Sequence, residues 1–105
     1  MDRLSSIFEL REMLRQLERD VGLDRLSRTE RDVLLAAHSL SVTPGAVVSS
    51  DQIRSHPLVA SVTQATFYRA VRSLLGCGFL ERATGSRAKS YTVRSDRIGD
   101  QLARL

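Results

Sequence analysis

Between Gln64 and Leu75, the apolar residues Phe67, Val71, Leu74 and Leu75 recur at i, i+4, i+7 and i+8. That spacing places all four on one face of a helix. It leaves Gln64, Thr66, Tyr68, Arg69, Arg72 and Ser73 for the other faces. Ser61 or Thr63 can cap the start, and Gly76 and Gly78 are stop signals. A helix this two-sided must cover a core with one face and offer a polar, arginine-bearing face to something else. The rest of the chain has to supply the core that it covers.

The flanking segments have readable periods. From Asp2 to Val21, Ile7, Leu10, Leu14, Leu17 and Val21 are spaced 3, 4, 3 and 4, the a/d seam of a helix that pairs with another helix. Leu4, Phe8 and Met13 widen that face. The seam is longer than one small core needs, so we expect a homodimer built on this helix, with folding back onto its own core as the alternative. Ser27-Arg28-Thr29-Glu30 is a capping box opening a second helix, with Val33, Leu34, Ala37 and Leu40 as its stripe. Val47 and Val48 form a short extended stretch. Ser50 reads as the cap of a short third helix ending near His56-Pro57, and Leu58 to Val62 as a turn. Phe79–Ala83 and Ser90–Arg94 read as two strands around a basic, turn-rich loop at 84–89. Phe67, Phe79 and Leu80 belong to the core. A last helix over 95–105 would bury Ile98, Leu102 and Leu105. The expected class is mostly α with a small β hairpin (α+β). The single domain divides into a helix at 1–22, a core at 27–94 and a C-terminal helix.

Charge is uneven along this frame. The 105 residues carry a formal net charge of +4. Residues 51–93 hold Arg54, Arg69, Arg72, Arg82, Arg87 and Lys89 against Asp51 and Glu81, so the whole surplus lies there. Nearly every cation is arginine, which grips phosphate and guanine through two parallel hydrogen bonds. An arginine-rich composition also follows from a GC-rich genome. The order helix, turn, helix, hairpin is that of a helix-turn-helix unit, whose second helix fits the DNA major groove.

The residues Val62-Thr63-Gln64-Ala65-Thr66-Phe67-Tyr68-Arg69-Ala70-Val71-Arg72-Ser73-Leu74-Leu75-Gly76-Cys77-Gly78-Phe79-Leu80-Glu81-Arg82 resemble the recognition helix and first wing strand of bacterial winged helix-turn-helix repressors. The Ala-Thr-Phe-Tyr-Arg core is similar to the ferric-uptake-regulator family, and the layout with flanking helices is similar to small MarR-like regulators. The resemblance implies a winged helix-turn-helix transcriptional regulator, a dimeric repressor reading double-stranded DNA. It assigns base-edge contacts to Gln64 and Thr66. Tyr68 would touch a thymine or a phosphate, and Arg69 and Arg72 a phosphate or guanine. Arg82, Arg87 and Lys89 would meet the backbone or minor groove. The Ser50 and Thr63 hydroxyls would anchor the DNA backbone or cap their helices, with capping the preferred reading for Ser50. Within the same residues, Tyr68 packing under the wing and Arg69 pairing with Asp51 or Glu81 stay open.

Other classes find little footing. The chain lacks the His-, Cys- and carboxylate-rich region of uptake regulators, so neither a metal nor any other cofactor is expected. His38 reads as a surface residue, His56 as a helix-end residue and Cys77 as a small packing residue. No nucleophile–base pair or phosphate-cradling glycine loop is present, so no enzyme is expected. One cysteine, no signal peptide and no membrane-length apolar run point to the cytoplasm. The competing expectation is a winged-helix protein-interaction module that does not bind DNA.

Overall fold

The computed structural model describes residues 2–83, 85 and 89–94. Helix α1 spans Arg3–Asp20, capped by the Asp2 carboxylate, which accepts from the Ser5 N–H at 2.6 Å. Gly22 ends it in the left-handed region at φ 83°, and a short 3-10 turn, Leu23–Arg25, leads into α2, Arg28–Leu40. The capping box is complete: Ser27 Oγ accepts from the Glu30 N–H at 3.1 Å, and the Glu30 carboxylate accepts from the Ser27 N–H at 2.6 Å. Such a cap contributes about 1 kcal/mol.

A second capping box starts α3, Ser50–Arg54, and it is made by Ser49 with Gln52. Ser50, expected as the cap, lies one residue inside and is buried. The N3 partner decides the register: Gln52 stands three residues after Ser49, not after Ser50. Helix α4 spans Gln64–Cys77, capped by Thr63. Gly76, expected as a stop, lies within it. The stop is Gly78 at φ 84°, where the Gly78 and Phe79 N–H groups bond back to the Leu75 and Leu74 carbonyls. Cys77, expected to pack, is exposed on the last helical residue.

Among the described residues the sheet has three antiparallel strands: the short extended stretch expected at Val47 and Val48, here Val48–Ser49, pairs with the expected hairpin. Strands β1 (Val48–Ser49), β2 (Leu80–Arg82) and β3 (Ser90–Val93) lie in the order β1-β3-β2. Val48 pairs with Tyr91 and Leu80 with Val93. The core forms between α2, α3, α4 and the sheet. Phe67, Leu34, Ile53, Leu74 and Leu80 are its largest fully buried side chains, with Val59 added from the α3–α4 turn. Phe79 is only partly buried against it. His56 ties the turn to α2, with Nε2 3.0 Å from Ser39 Oγ and Nδ1 accepting from the Leu58 N–H.

No residue of α1 is buried. Its C-terminal end is held by Glu18, 3.3 Å from Arg31, whose guanidinium also donates to the Leu26 carbonyl at 2.8 Å. Ile7, Leu10, Leu14 and Leu17 are all exposed, whereas Val21 turns onto the core. Among the described residues no helix is long and apolar enough to cross a membrane. The expected C-terminal helix and Arg87 lie outside the described residues.

Candidate nucleic-acid interface

The apolar stripe of α4 fixes which side of that helix faces out. Phe67, Ala70, Val71 and Leu74 are buried. The 100° step per residue then puts Ala65, Arg69, Arg72 and Gly76 along the opposite ridge, and all four are exposed. Neither Arg69 nor Arg72 has a carboxylate partner among the described residues; Glu81 pairs instead with Arg94 at 2.9 Å. Both guanidiniums are therefore available to a partner, and the pairing of Arg69 with Asp51 or Glu81 does not occur.

Beside this ridge lies an open groove of about 340 Å³ between α4 and the sheet. Tyr68, Arg69, Arg72, Arg82 and Lys89 line it together, so five of the sequence-predicted residues converge on one surface. Gln64 is exposed at the start of α4 and Thr66 is half-buried on the side facing α2, where a second groove joins it to Ser27 and Arg69. Thr63 is a cap: its hydroxyl accepts from the Thr66 N–H and donates to Thr66 Oγ1 at 2.9 Å. That geometry uses up the hydroxyl proton of Thr63.

Tyr68 is tied down more than its sequence position suggests. Its hydroxyl donates to Ser50 Oγ at 3.2 Å, and its ring stands edge-on to Phe67 at 5.0 Å between centroids. The Lys89 ammonium lies over the same ring, 4.8 Å from its centre. Lys89 holds a left-handed backbone, φ 66°, uncommon for a residue with a Cβ. Its carbonyl accepts from the Ser50 N–H at 2.9 Å. Ser50, Tyr68 and Lys89 thus join the start of α3, the middle of α4 and the start of β3. The Ser50 hydroxyl, able to turn its proton toward a phenolate, and the Lys89 charge hold the Tyr68 phenol below its ordinary value. Burial pushes Tyr91, in the same groove, the other way, against the pull of Arg82.

Three residues take places here that the sequence reading did not give them. Ala65 enters the sequence reading only through the Ala-Thr-Phe-Tyr-Arg core, although its place on the outward ridge follows from the helical period. Ser50 acts through a contact 18 residues away, which no local pattern signals. Arg54 lies with its guanidinium carbon 5.9 Å from the Phe67 ring centre, adding a cation beside the start of α4. Among the described residues no group of three or more His, Cys, Asp or Glu is placed to hold a metal ion. No protein-family model, curated protein or solved structure matches the chain.

Proposed function

We propose that this chain is a winged helix-turn-helix domain that binds double-stranded DNA sequence-specifically and regulates transcription. Helices α3 and α4 form the helix-turn-helix, and β2 and β3 the wing. The observation that carries the reading is the outward ridge of α4. Two guanidiniums with no carboxylate partner among the described residues stand one turn apart there, and the adjoining groove adds Arg82 and Lys89. A helix of 14 residues is about 21 Å long and one helix in width, which the major groove admits.

Roles follow from placement. Ala65 and Gln64 lie at the entering end of α4, where Ala suits a thymine methyl and Gln an adenine edge. Arg69 and Arg72 take guanine or phosphate. Arg82 and Lys89 take backbone phosphates beside the groove. Tyr68 keeps α4 and the base of the wing in register and is a positioning residue in this reading. Selection of bound sequences from a random duplex pool tests it. Enrichment of a defined site, lost in Arg69→Ala, supports the proposal. No retained sequence and no gel retardation at low salt would favour a protein-interaction module.

A further inference from the structure

We infer that the exposed apolar stripe of α1 is the surface on which two copies of this chain pair. The helix contributes nothing buried to its own core, yet Ile7, Leu10, Leu14 and Leu17 run along one side of it at heptad spacing. Leu4 and Met13, at the e and g positions, flank that seam, and every one of these six side chains is half exposed or more, up to 78% for Leu4. Phe8, expected to widen this face, lies about 140° around the helix from the centre of the seam and is not part of it. Side chains of this size leave on the order of 100 Å² each in water, so the stripe offers on the order of 600 Å² per copy. That approaches the roughly 800 Å² per partner of a stable interface and stands at the top of the range of apolar patch, roughly 300–600 Å², that a monomer ordinarily exposes.

The charges choose the occupant. Residues 3–20 carry four arginines (Arg3, Arg11, Arg15, Arg19) and four acids (Glu9, Glu12, Glu18, Asp20), and so are neutral within a protein of net charge +4. An anionic membrane surface would call for a cationic helix, and a strongly charged partner for an opposite excess. A balanced, mixed-sign helix with Ile or Leu at consecutive a and d positions is complementary to itself. The C-terminal end is anchored by Glu18 on Arg31, so the stripe is presented on a helix fixed to the body.

The pairing is independent of the DNA reading, because it is measured without DNA. Sedimentation equilibrium of the full chain at micromolar concentrations should give twice 11.7 kDa. Leu10→Glu with Leu14→Glu should give the single mass while keeping helical circular dichroism and a cooperative melt, since neither side chain is in the core. Ser5→Glu puts the same charge on the far side of the helix and should stay dimeric. A wild type sedimenting at 11.7 kDa, a double variant that remains dimeric, or a Ser5→Glu protein that dissociates equally would each overturn the inference.

Discussion

Removing Arg69 and Arg72 together should change how DNA binding responds to salt more tellingly than how tight it is. Both side chains are exposed on the outward ridge of α4, without a carboxylate partner among the described residues. Their truncation to alanine should therefore shift folding stability by no more than about 0.5 kcal/mol. Four cations line the α4 groove: Arg69, Arg72, Arg82 and Lys89. If each displaces one counterion from a phosphate, the slope of log K against log salt is about −0.9 per contact, so about −3.6 for the set. A fourfold rise in salt then weakens wild-type binding about 150-fold, and that of Arg69→Ala/Arg72→Ala, with slope about −1.8, only about 12-fold. Fluorescence anisotropy with a labelled duplex of arbitrary sequence, titrated across that salt range, reads both slopes. A double variant whose slope equals that of wild type would refute the placement of this face against DNA. A slope that drops by about 0.9 rather than about 1.8 would mean that one of the pair reads a base. That residue should then cost about 1–3 kcal/mol on the selected site alone.

Three further outcomes are expected. Tyr68→Phe strands the buried Ser50 hydroxyl and should cost about 1 kcal/mol in urea unfolding, while Ser50→Ala on top of it should add little because the partners are already apart. Gly76→Ala meets no neighbouring atom within 4 Å and should stabilise α4 by about 0.5–1 kcal/mol, read as a higher urea midpoint at unchanged slope. Glu30 should make folding sensitive to acid. The Ser73 hydroxyl and the Ser27 N–H hold its carboxyl below the ordinary 4.5, so its contribution is complete above that value and disappears as pH falls through the lower folded value. Glu30→Gln should flatten that limb of the stability profile, and an unchanged acid limb would count against the assignment.

The parts of this fold legible in the sequence are those decided within a few residues. Phe67, Val71 and Leu74 set the buried face of α4, Thr63 its start, and Ser27 with Glu30 the start of α2. The misread glycine shows where local signals stop. Gly76 and Gly78 look alike as letters, but only Gly78 holds the left-handed geometry that two back-bonding N–H groups need. Gly76 is carried along because Leu74 and Gly78 on either side fix the helical course, at the ordinary cost of about 1 kcal/mol for a helical glycine. The pairing of the short strand β1 was hidden for another reason. Val48 reads as extended, but its partner Tyr91 lies more than forty residues on, and nothing local names it. The anchoring of Tyr68 by Ser50 and Lys89 is long-range in the same way. The seam of α1 was legible down to Leu17, whereas the turning of Val21 onto the core depends on where Gly22 sends the chain.

The two faces of α4 explain why the candidate interface can vary while the fold persists. Phe67, Ala70, Val71 and Leu74 tie the helix to the core, and none of them reaches the outward ridge. Ala65, Arg69 and Arg72 reach solvent, and none of them supports the core. Between the two sets stands Tyr68, touching Phe67 on one side and Lys89 on the other. Its hydroxyl also donates to Ser50 Oγ at the start of α3, so one side chain ties α4 to α3 and to the start of β3. Changes to ridge residues should therefore alter which partner is bound at nearly constant stability. A change at Tyr68 or Ser50 should shift the register of α4 against the β2–β3 hairpin, and with it contacts made by residues that were never altered.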